Sequence, residues 1–330
     1  MKKIAELAGI DVIEGFYNGN LLVFDVHNHL LFISERDGSI VNSILWEDYC
    51  IIKIKDNHIF LLDDGIYKYD ETNNSFELYR SSITGGSVNW FGNNVMENNY
   101  MRPSKSVCIT LFEGDSDKKV WERTYLNRRH WDSRGKYLYV TDLSFKYIDF
   151  IDAESGEVRN TLHFENPPIS RFIYSWGDTL IVSLEIKPLE EYILLGLDAM
   201  TGEEKWRVES VNDIYTQEPT NGYLYGISGN YFQVIDVRNG NMLVHENLSS
   251  EKEKYKIFFQ GQGCLSPKGF YFKDNHLTCK FGLINLQTFK IEFVTDLNLP
   301  DGVKITSMSY HNGRLYVKDT NDTLHIFAEE

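Results

Sequence analysis

Short apolar runs alternate with polar, turn-forming residues along the whole chain. Val, Ile, Tyr, Phe and Leu dominate these runs, and many runs follow a hairpin-type pair such as Asn-Gly, Lys-Gly or Gly-Asp, as is typical of β-strands. Examples of the runs are Leu21–Phe24, His58–Leu62, Tyr137–Val140, Thr179–Val182, Phe270–Phe272 and Arg314–Val317. No window of about a dozen residues keeps a helical period. The pattern therefore predicts a chain that is nearly all β.

A turn of constant outline separates many of these runs. In its strongest copy, Leu197–Trp206, an apolar strand ends at Asp198, the turn closes at Gly202, and Trp206 opens the next strand. Two partial copies pair Asp152 with Gly156 and Asp236 with Gly240, and weaker ones occupy 33–40, 69–76, 112–118 and 284–290. Asp starts such a turn by accepting hydrogen bonds from the backbone that follows, and Gly supplies the positive φ. We predict a structural role for these Asp, Gly and Trp residues.

The turns recur about every 35 to 50 residues, which is close to the spacing of four-stranded propeller blades. After the last turn, Lys304–Tyr310, Arg314–Val317 and Thr323–Phe327 provide three strands, and the N-terminal Lys3–Leu7 provides a fourth. Pairing between the two chain ends would close a ring and remove its open edges. The prediction is a single all-β domain over 1–330, a closed β-propeller with eight blades. Seven blades is the alternative because 83–105 is irregular, and the regular period disfavours an open β-sandwich.

Composition narrows the classes of function. The net charge of −15 disfavours nucleic acid, whose binding proteins carry basic patches, and favours a basic protein partner. Glu6 interrupts the N-terminal segment, and no run approaches the roughly 18 apolar residues of a membrane span. The four cysteines are scattered without a CxxC spacing, so we expect small buried side chains in a reducing compartment. The protein is therefore expected in the cytoplasm.

The segment Leu197–Trp206 resembles the repeat of the pyrroloquinoline-quinone-type (PQQ-like) β-propellers, a superfamily that includes quinoprotein alcohol dehydrogenases and non-catalytic members. The resemblance implies that Trp206 packs between blades. The catalytic members carry adjacent cysteines and a calcium-binding set beneath the quinone. This chain has no Cys-Cys pair and no recognisable calcium set. The expectation is a non-catalytic member with no quinone cofactor and no metal.

A short His-x-His motif is typical of metal-binding enzymes, but we interpret it as a turn between two strands. Asp25–His29 contains His27 and His29 after a strand, an arrangement found where two imidazoles reach one metal in amidohydrolases. Those enzymes need a barrel of alternating strands and helices, and that pattern is absent from this sequence. We expect His27 and Asn28 to form the turn between two strands of blade one.

Two charged, aromatic segments are candidate partner-binding sites. The first combines basic residues of 118–136 with Trp121, Tyr125 and a crossing loop that holds Arg128, Arg129, His130 and Trp131. The second is the long loop 249–259, with Lys252, Lys254 and Tyr255. In the first segment, Arg beside exposed aromatic rings is typical of binding hot spots. Asn93–Ser104 and Ile186–Glu191 are also interpreted as long loops. The alternative for each segment is a solvated surface with its own salt bridges.

Besides a purely structural part of a larger assembly, which would show a large apolar patch, two functions remain open from these observations. The first is a cytoplasmic protein-interaction module, in a specific form an immunity-type protein that neutralises a basic toxin. The second is a small-molecule or sugar-binding, or enzymatic, propeller that works at the mouth of its central channel. Polar residues on predicted inner strands would serve that channel: Asn89, Arg171, Tyr215 and Gln262. No catalytic set is recognisable, so the interaction module is preferred.

Overall fold

The chain is an eight-bladed β-propeller, as seen in a computed structural model. The predicted fold class and the preferred blade number are confirmed. The structure describes residues 1–46, 50–81, 88–101, 105–114, 116–128, 130–134, 137–142, 146–164, 169–187, 191–212, 221–274 and 279–329. Within strands, the backbone alone is described for 130–134, 137, 169–173, 187, 210 and 260–262.

Each blade is an antiparallel meander of strands in chain order. The N-terminal strand β1 is Lys2–Leu7, and it belongs to the last blade. The first four blades are formed by β2 (Ile10–Tyr17), β3 (Asn20–Asp25), β4 (His29–Ser34) and β5 (Ile40–Leu45); β6 (Ile51–Lys55), β7 (His58–Leu62), β8 (Ile66–Asp70) and β9 (Ser75–Arg80); β10 (Val88–Phe91), β11 (Asn94–Met101), β12 (Ser106–Phe112) and β13 (Lys119–Tyr125); β14 (His130–Arg134), β15 (Tyr137–Thr141), β16 (Tyr147–Ile151) and β17 (Val158–His163).

The second half of the ring repeats the arrangement. Its strands are β18 (Ile169–Trp176), β19 (Thr179–Lys187), β20 (Glu191–Asp198) and β21 (Glu204–Val211); β22 (Tyr223–Gly229), β23 (Tyr231–Asp236) and β24 (Asn241–Asn247); β25 (Phe259–Leu265), β26 (Gly269–Asp274), β27 (Lys280–Asn285) and β28 (Ile291–Asp296); β29 (Ile305–His311), β30 (Arg314–Asp319) and β31 (Leu324–Ala328). Three strands of blade six are described, and its β22 also pairs with β25 of blade seven. One short helix, α1 (Ser249–Tyr255), precedes β25. Within the described residues, no helix has the length and apolar character that a bilayer crossing needs.

The two ends of the chain close the ring. Strand β1 pairs antiparallel with β31 from Lys2–Ala328 to Leu7–Leu324, so it is the fourth strand of blade eight. The Ile10 N–H, at the start of blade one, donates to the Asp322 carbonyl of blade eight at 2.7 Å. The predicted role of the N-terminal segment is confirmed.

The core lies between blades rather than inside one sheet. One apolar cluster joins Tyr139 and Phe150 of blade four to Leu180 and Leu195 of blade five. Another joins Tyr316 of blade eight to residues of blade one. Because both faces of a blade pack against neighbours, its middle strands are apolar throughout rather than alternating. The large aromatic rings fill this space, as predicted from composition.

In a meander the turns lie at the two ends of the strands. The first and third turns of a blade lie at one end, and we call this side of the ring the turn face. The second turns lie at the other end, together with the segments that lead to the next blade, and we call this side the crossing face. Backbone bonds join these segments to the second turns, for example Trp46 to Asn28 at 3.0 Å and Leu248 to Asn230 at 2.7 Å. The interpretation of Asn93–Ser104 as a long loop is wrong, since β11 occupies most of it.

Candidate functional site

The third turn of a blade is built by its first residue. In blade five the Asp198 carboxylate accepts the N–H groups of Met200 and Thr201, both at 2.9 Å, and Gly202 donates to the Asp198 carbonyl at 2.8 Å. The carbonyl bond recurs at other third turns, including Gly156 to Asp152 at 2.7 Å and Gly240 to Asp236 at 2.8 Å. Burial alone would raise the pKa of Asp198, but the two N–H bonds and the Lys205 ammonium together lower it to about 2. The carboxylate is thus held in its charged form within the turn.

Two tryptophans join the outer strand of one blade to the third turn of the next. The Trp206 indole N–H donates to the Val237 carbonyl at 2.9 Å, and its ring lies against Gly240. The Trp121 indole N–H donates to the Ala153 carbonyl at 3.0 Å, and its ring lies against Gly156. Both rings are nearly buried. The position implied for Trp206 by the PQQ-like resemblance is seen here between blades five and six.

Sequence reasoning missed the structural place of Trp121 and assigned it to an exposed basic segment. A usable signal existed, because Trp206 follows the turn residue Asp198 at the same interval as Trp121 follows Glu113. Each Trp lies on the fourth strand of its blade, where it pairs with a residue of the third strand. That third-strand residue lies two positions before the turn residue in the sequence. We call this the docking position. In the other blades it is held by Asn42, Glu77, Asn160, Val244, Phe293 and Ala5.

The first candidate partner site is largely engaged in internal contacts. The Arg128 guanidinium binds both carboxylate oxygens of Asp149, at 2.6 and 3.0 Å, and lies over the Tyr147 ring. Trp121 and Tyr125 are buried, contrary to the expectation of exposed rings. Neighbouring cations are paired as well: Lys118 with Glu113, Lys119 with Glu122, Arg123 with Glu157 and Arg159 with Asp152. Arg129 lies outside the described residues, and His130 and Trp131 open β14 with only their backbone described.

The second candidate partner site contains α1 and is an ordered part of the crossing face. The Lys252 ammonium donates to the Asn230 side chain at 2.9 Å and lies 4.0 Å from the centre of the Phe258 ring. The Lys254 ammonium contacts the Tyr255 hydroxyl at 3.1 Å. The structure therefore brings the three predicted residues Lys252, Lys254 and Tyr255 together on one short helix.

This segment is anchored at both ends. Leu248 and Ile257 are buried on either side of α1, within the cluster between blades six and seven. The Phe258 N–H donates to Asp274 at 2.8 Å, and Lys280 donates to the Tyr255 carbonyl at 2.9 Å. Phe258 itself is 52% exposed. An apolar ring beside lysines is thus presented to solvent on a fixed backbone, and sequence reasoning had not singled out Phe258.

The HxH motif forms a turn, as predicted. The Asp25 carboxylate accepts the N–H groups of His27 and His29, both at 2.8 Å, and its other oxygen lies 3.1 Å from the His29 ring. Among the described residues, no group of three or more His, Cys, Asp or Glu side chains could hold a metal ion. The cysteines are free, and burial raises the pKa of the Cys50 and Cys264 thiols to about 12.

Three of the four channel candidates lie on the first strands of their blades. Asn89 lies on β10, the first strand of blade three, and is half-buried. Arg171 and Gln262 lie on the first strands β18 and β25, with only their backbone described, and Tyr215 falls outside the described residues. On β2, burial raises the pKa of Glu14, and the charge of Lys53 opposes that shift. Of the four predicted channel residues, Asn89 is the one whose side chain the structure describes.

Comparison with solved structures agrees with the β-propeller fold. No protein-family model and no curated protein match this chain. The chain is similar to the crystal structure of the computationally designed protein Ika8, with a TM-score of 0.69 and 9% identity over 100% of both chains. It is also similar to BamB from Moraxella catarrhalis, with a TM-score of 0.62 and 12% identity over 99% of both chains. BamB is a PQQ-like β-propeller, so the fold that the resemblance implies is confirmed.

Proposed function

We propose that this propeller is a protein-interaction module whose partner docks on the α1 segment of the crossing face. The observation that carries the proposal is the fixed, half-exposed Phe258 ring with the Lys252 ammonium 4.0 Å from its centre. Aromatic rings that are held rigidly lose little entropy on binding, and aromatic side chains are enriched at the cores of interfaces. A closed ring of blades supplies the rigid base for such a surface.

The charge of the whole chain shapes the choice of partner. A net charge of −15 attracts a basic protein and speeds its encounter, whereas the lysines of α1 offer local contacts to carboxylate or carbonyl groups. The specific form we propose is an immunity-type protein that captures and neutralises a basic toxin in the cytoplasm. Attraction of this kind weakens when salt shortens the Debye length from about 30 Å at 0.01 M to about 8 Å at 0.15 M.

Affinity purification of the tagged chain from its native cells tests the proposal. The wild type should retain one stoichiometric protein, and Phe258→Asp should retain at least about tenfold less of it, as expected for loss of a hot spot. Leu243→Asp is the matched control, because Leu243 is 53% exposed on the outer strand β24, away from α1. Equal retention by Phe258→Asp would exclude α1 as the docking surface. Turnover of a small molecule with no stoichiometric partner would exclude the module itself.

A further inference from the structure

A polar cleft opens on the turn face at blade two. Its volume is about 520 Å³, within the range of roughly 300–1,000 Å³ typical of ligand pockets. Blade one contributes Tyr17 and Asn18, and blade two contributes side chains from three of its strands, among them His58, Lys68, Glu77 and Tyr79. The cleft is distant in the fold from the α1 segment, which lies on the crossing face between blades six and seven.

The docking position of blade two lines the cleft and holds no indole. Glu77 holds this position in blade two, and the residue directly opposite is Lys68. In blade five the same pair is Trp206 opposite Gly196, which leaves the indole room to lie across the third strand. A charged pair in place of a ring and a glycine removes apolar volume from the rim of the blade. The polar groups that remain stand on strands, which hold them in fixed positions.

Two of the three carboxylates in the cleft are already used. Asp70 accepts the Thr72 N–H at 2.9 Å and the Asn73 amide at 2.6 Å. Glu71 accepts the Tyr17 hydroxyl and, at 2.7 Å, the Asn18 amide. Burial, with a further contribution from Glu71, raises the pKa of Tyr17 to about 12, so the hydroxyl remains a donor.

Three other groups that face the cleft are less engaged in internal hydrogen bonds: the Lys68 ammonium, the His58 imidazole and the Glu77 carboxylate. Among the described residues, the Lys68 ammonium has no hydrogen-bond or ion-pair partner. Within the described part of the chain, His58 makes one ring contact, edge-on to Phe60, and one Glu77 oxygen lies 3.4 Å from the Asn73 amide. Lys68 balances one of the three carboxylates that line the cleft, so the lining has a negative balance of charge and disfavours an anion. Lys68 and Glu77 offer a donor and an acceptor side by side, and Tyr69 and Tyr79 also line the cleft.

We infer that this cleft binds a neutral, polyhydroxylated ligand, namely a mono- or disaccharide. Each sugar hydroxyl both donates and accepts a hydrogen bond, which matches Glu77 as acceptor and Lys68 as donor on adjacent strands. The apolar face of a sugar ring packs against aromatic side chains, and tyrosines line the cleft. This inference stands independently of the proposed protein partner.

Titration of the full chain tests the inference with maltose, cellobiose, lactose and N,N′-diacetylchitobiose as probes, by saturation-transfer NMR and calorimetry. We expect at least one of them to bind the wild type. Lys68→Met and Glu77→Gln keep the volume of the side chain and remove a charge, and each should weaken binding at least about tenfold, as for the loss of a charge-assisted hydrogen bond. Glu77→Trp restores the indole of the repeat and should abolish binding by filling the cleft.

Asn160→Trp is the matched control, because Asn160 holds the docking position of blade four and lies outside the cleft. This variant should bind the same saccharide as the wild type does. Denaturant unfolding of each variant separates loss of the site from loss of the fold. The inference is overturned if none of the four saccharides binds the wild type up to about 20 mM, a range that still detects millimolar affinities. It is also overturned if folded Lys68→Met, Glu77→Gln and Glu77→Trp bind as the wild type does.

Discussion

A single side chain can join two blades, and Trp206 shows how. Its ring crosses Gly196 on the neighbouring strand, passes beneath Gly240 of the next blade and places its N–H on the Val237 carbonyl. The ring is buried without leaving its polar atom unpaired, which is what a buried indole requires. Truncation of a buried Trp to Ala typically costs about 3–5 kcal/mol. The glycines on either side are as much a part of the contact as the indole.

Gly240→Ala, compared with Gly19→Ala, tests whether the glycine beside the Trp206 indole is needed for this contact. Both glycines have left-handed backbones, with φ of +75° and +72°. A Cβ on Gly240 would lie 2.9 Å from Trp206 Cε3, whereas a Cβ on Gly19 would meet nothing within 4 Å. Gly19→Ala should cost roughly 1–2 kcal/mol for its backbone alone, and Gly240→Ala about 1–3 kcal/mol more for the overpacked ring. Urea unfolding measures both, and equal costs would contradict the role of the close contact.

The charge of Asp198 should make the stability of the protein depend on pH. Its pKa is lowered to about 2 in the folded chain from an ordinary value of 3.8. A lowered pKa stabilises the fold above the unfolded value, and this contribution is lost as pH falls from about 5 towards 2. Asp198→Asn keeps an acceptor for the turn but removes the charge, so it should cost roughly 1 kcal/mol at pH 7. The cost should shrink steadily in urea titrations at pH 5, 4 and 3, and a cost that does not vary with pH would contradict the argument.

At the scale of elements, the sequence predicts the strands well. The runs His58–Leu62 and Tyr137–Val140 coincide with β7 and β15 to within a residue, because turn-forming pairs mark their ends. The sites were harder to predict. Trp121 stands among cations in the sequence, yet the register of β13 turns it into the interface with the next blade. Alternation along an outer strand decides which neighbours are exposed, and a bulge in that strand shifts the alternation. Side-chain partners such as Arg128, between β13 and β14, and Asp149, on β16, lie far apart in the sequence, and composition alone does not pair them.

The second turns of several blades carry a motif that the sequence analysis overlooked. An Asp at or just after the end of the second strand accepts backbone N–H groups of the turn or of the segment that crosses it: Asp25, Asp142, Asp274 and Asp319. The signal is an Asp at the end of an apolar strand, as at the third turns, but without the glycine that makes those conspicuous. Asp25, Asp142 and Asp319 hold backbone N–H groups of second turns, and Asp274 holds the segment that leads into blade seven.

Asp25 and Asp319 differ in burial, so their replacement should differ in cost. Each accepts two N–H groups of its turn and contacts a histidine, but His29 is half-exposed and His325 is buried. Asp25→Ala should cost about 1 kcal/mol, whereas Asp319→Ala should cost roughly 1–3 kcal/mol more because it leaves buried His325 without this partner. Thermal and urea unfolding compare the two. If Asp319→Ala together with His325→Leu is as unstable as Asp319→Ala alone, the stranded imidazole is not the cause.

At the scale of the whole molecule, stability depends on one non-covalent junction. Glu35 of blade one is buried and accepts hydrogen bonds from blade eight, from His311 and from the Asn312 amide at 3.2 Å. The Arg314 guanidinium donates to the Glu35 carbonyl at 3.2 Å. These contacts join the third turn of blade one to blade eight, next to the pairing of β1 with β31. The ring is therefore held at this junction by a strand and by a polar cluster.

Removal of residues 1–8 tests how far the ring needs its own N-terminus. The deletion leaves blade eight with three strands and uncovers the edge of β31, along with the apolar neighbours of Ile4 and Leu7. We expect loss of about 3 kcal/mol of unfolding free energy, since the partly buried side chains of Ile4, Ala5 and Leu7 go with the strand together with its backbone pairing. We also expect association through the open edge. Urea unfolding and light scattering measure the two effects.

A circular permutant is the control. Because Lys2 pairs with Ala328, a short linker can join the two chain ends. The chain is then opened between Asn18 and Gly19, where a Cβ added to Gly19 would lie in open space. The permutant should stay monomeric and be at least as stable as the wild type, because the linker turns the junction into a hairpin. A truncated chain that unfolds at the wild-type urea concentration and remains monomeric would show that blades one to seven hold the ring without it.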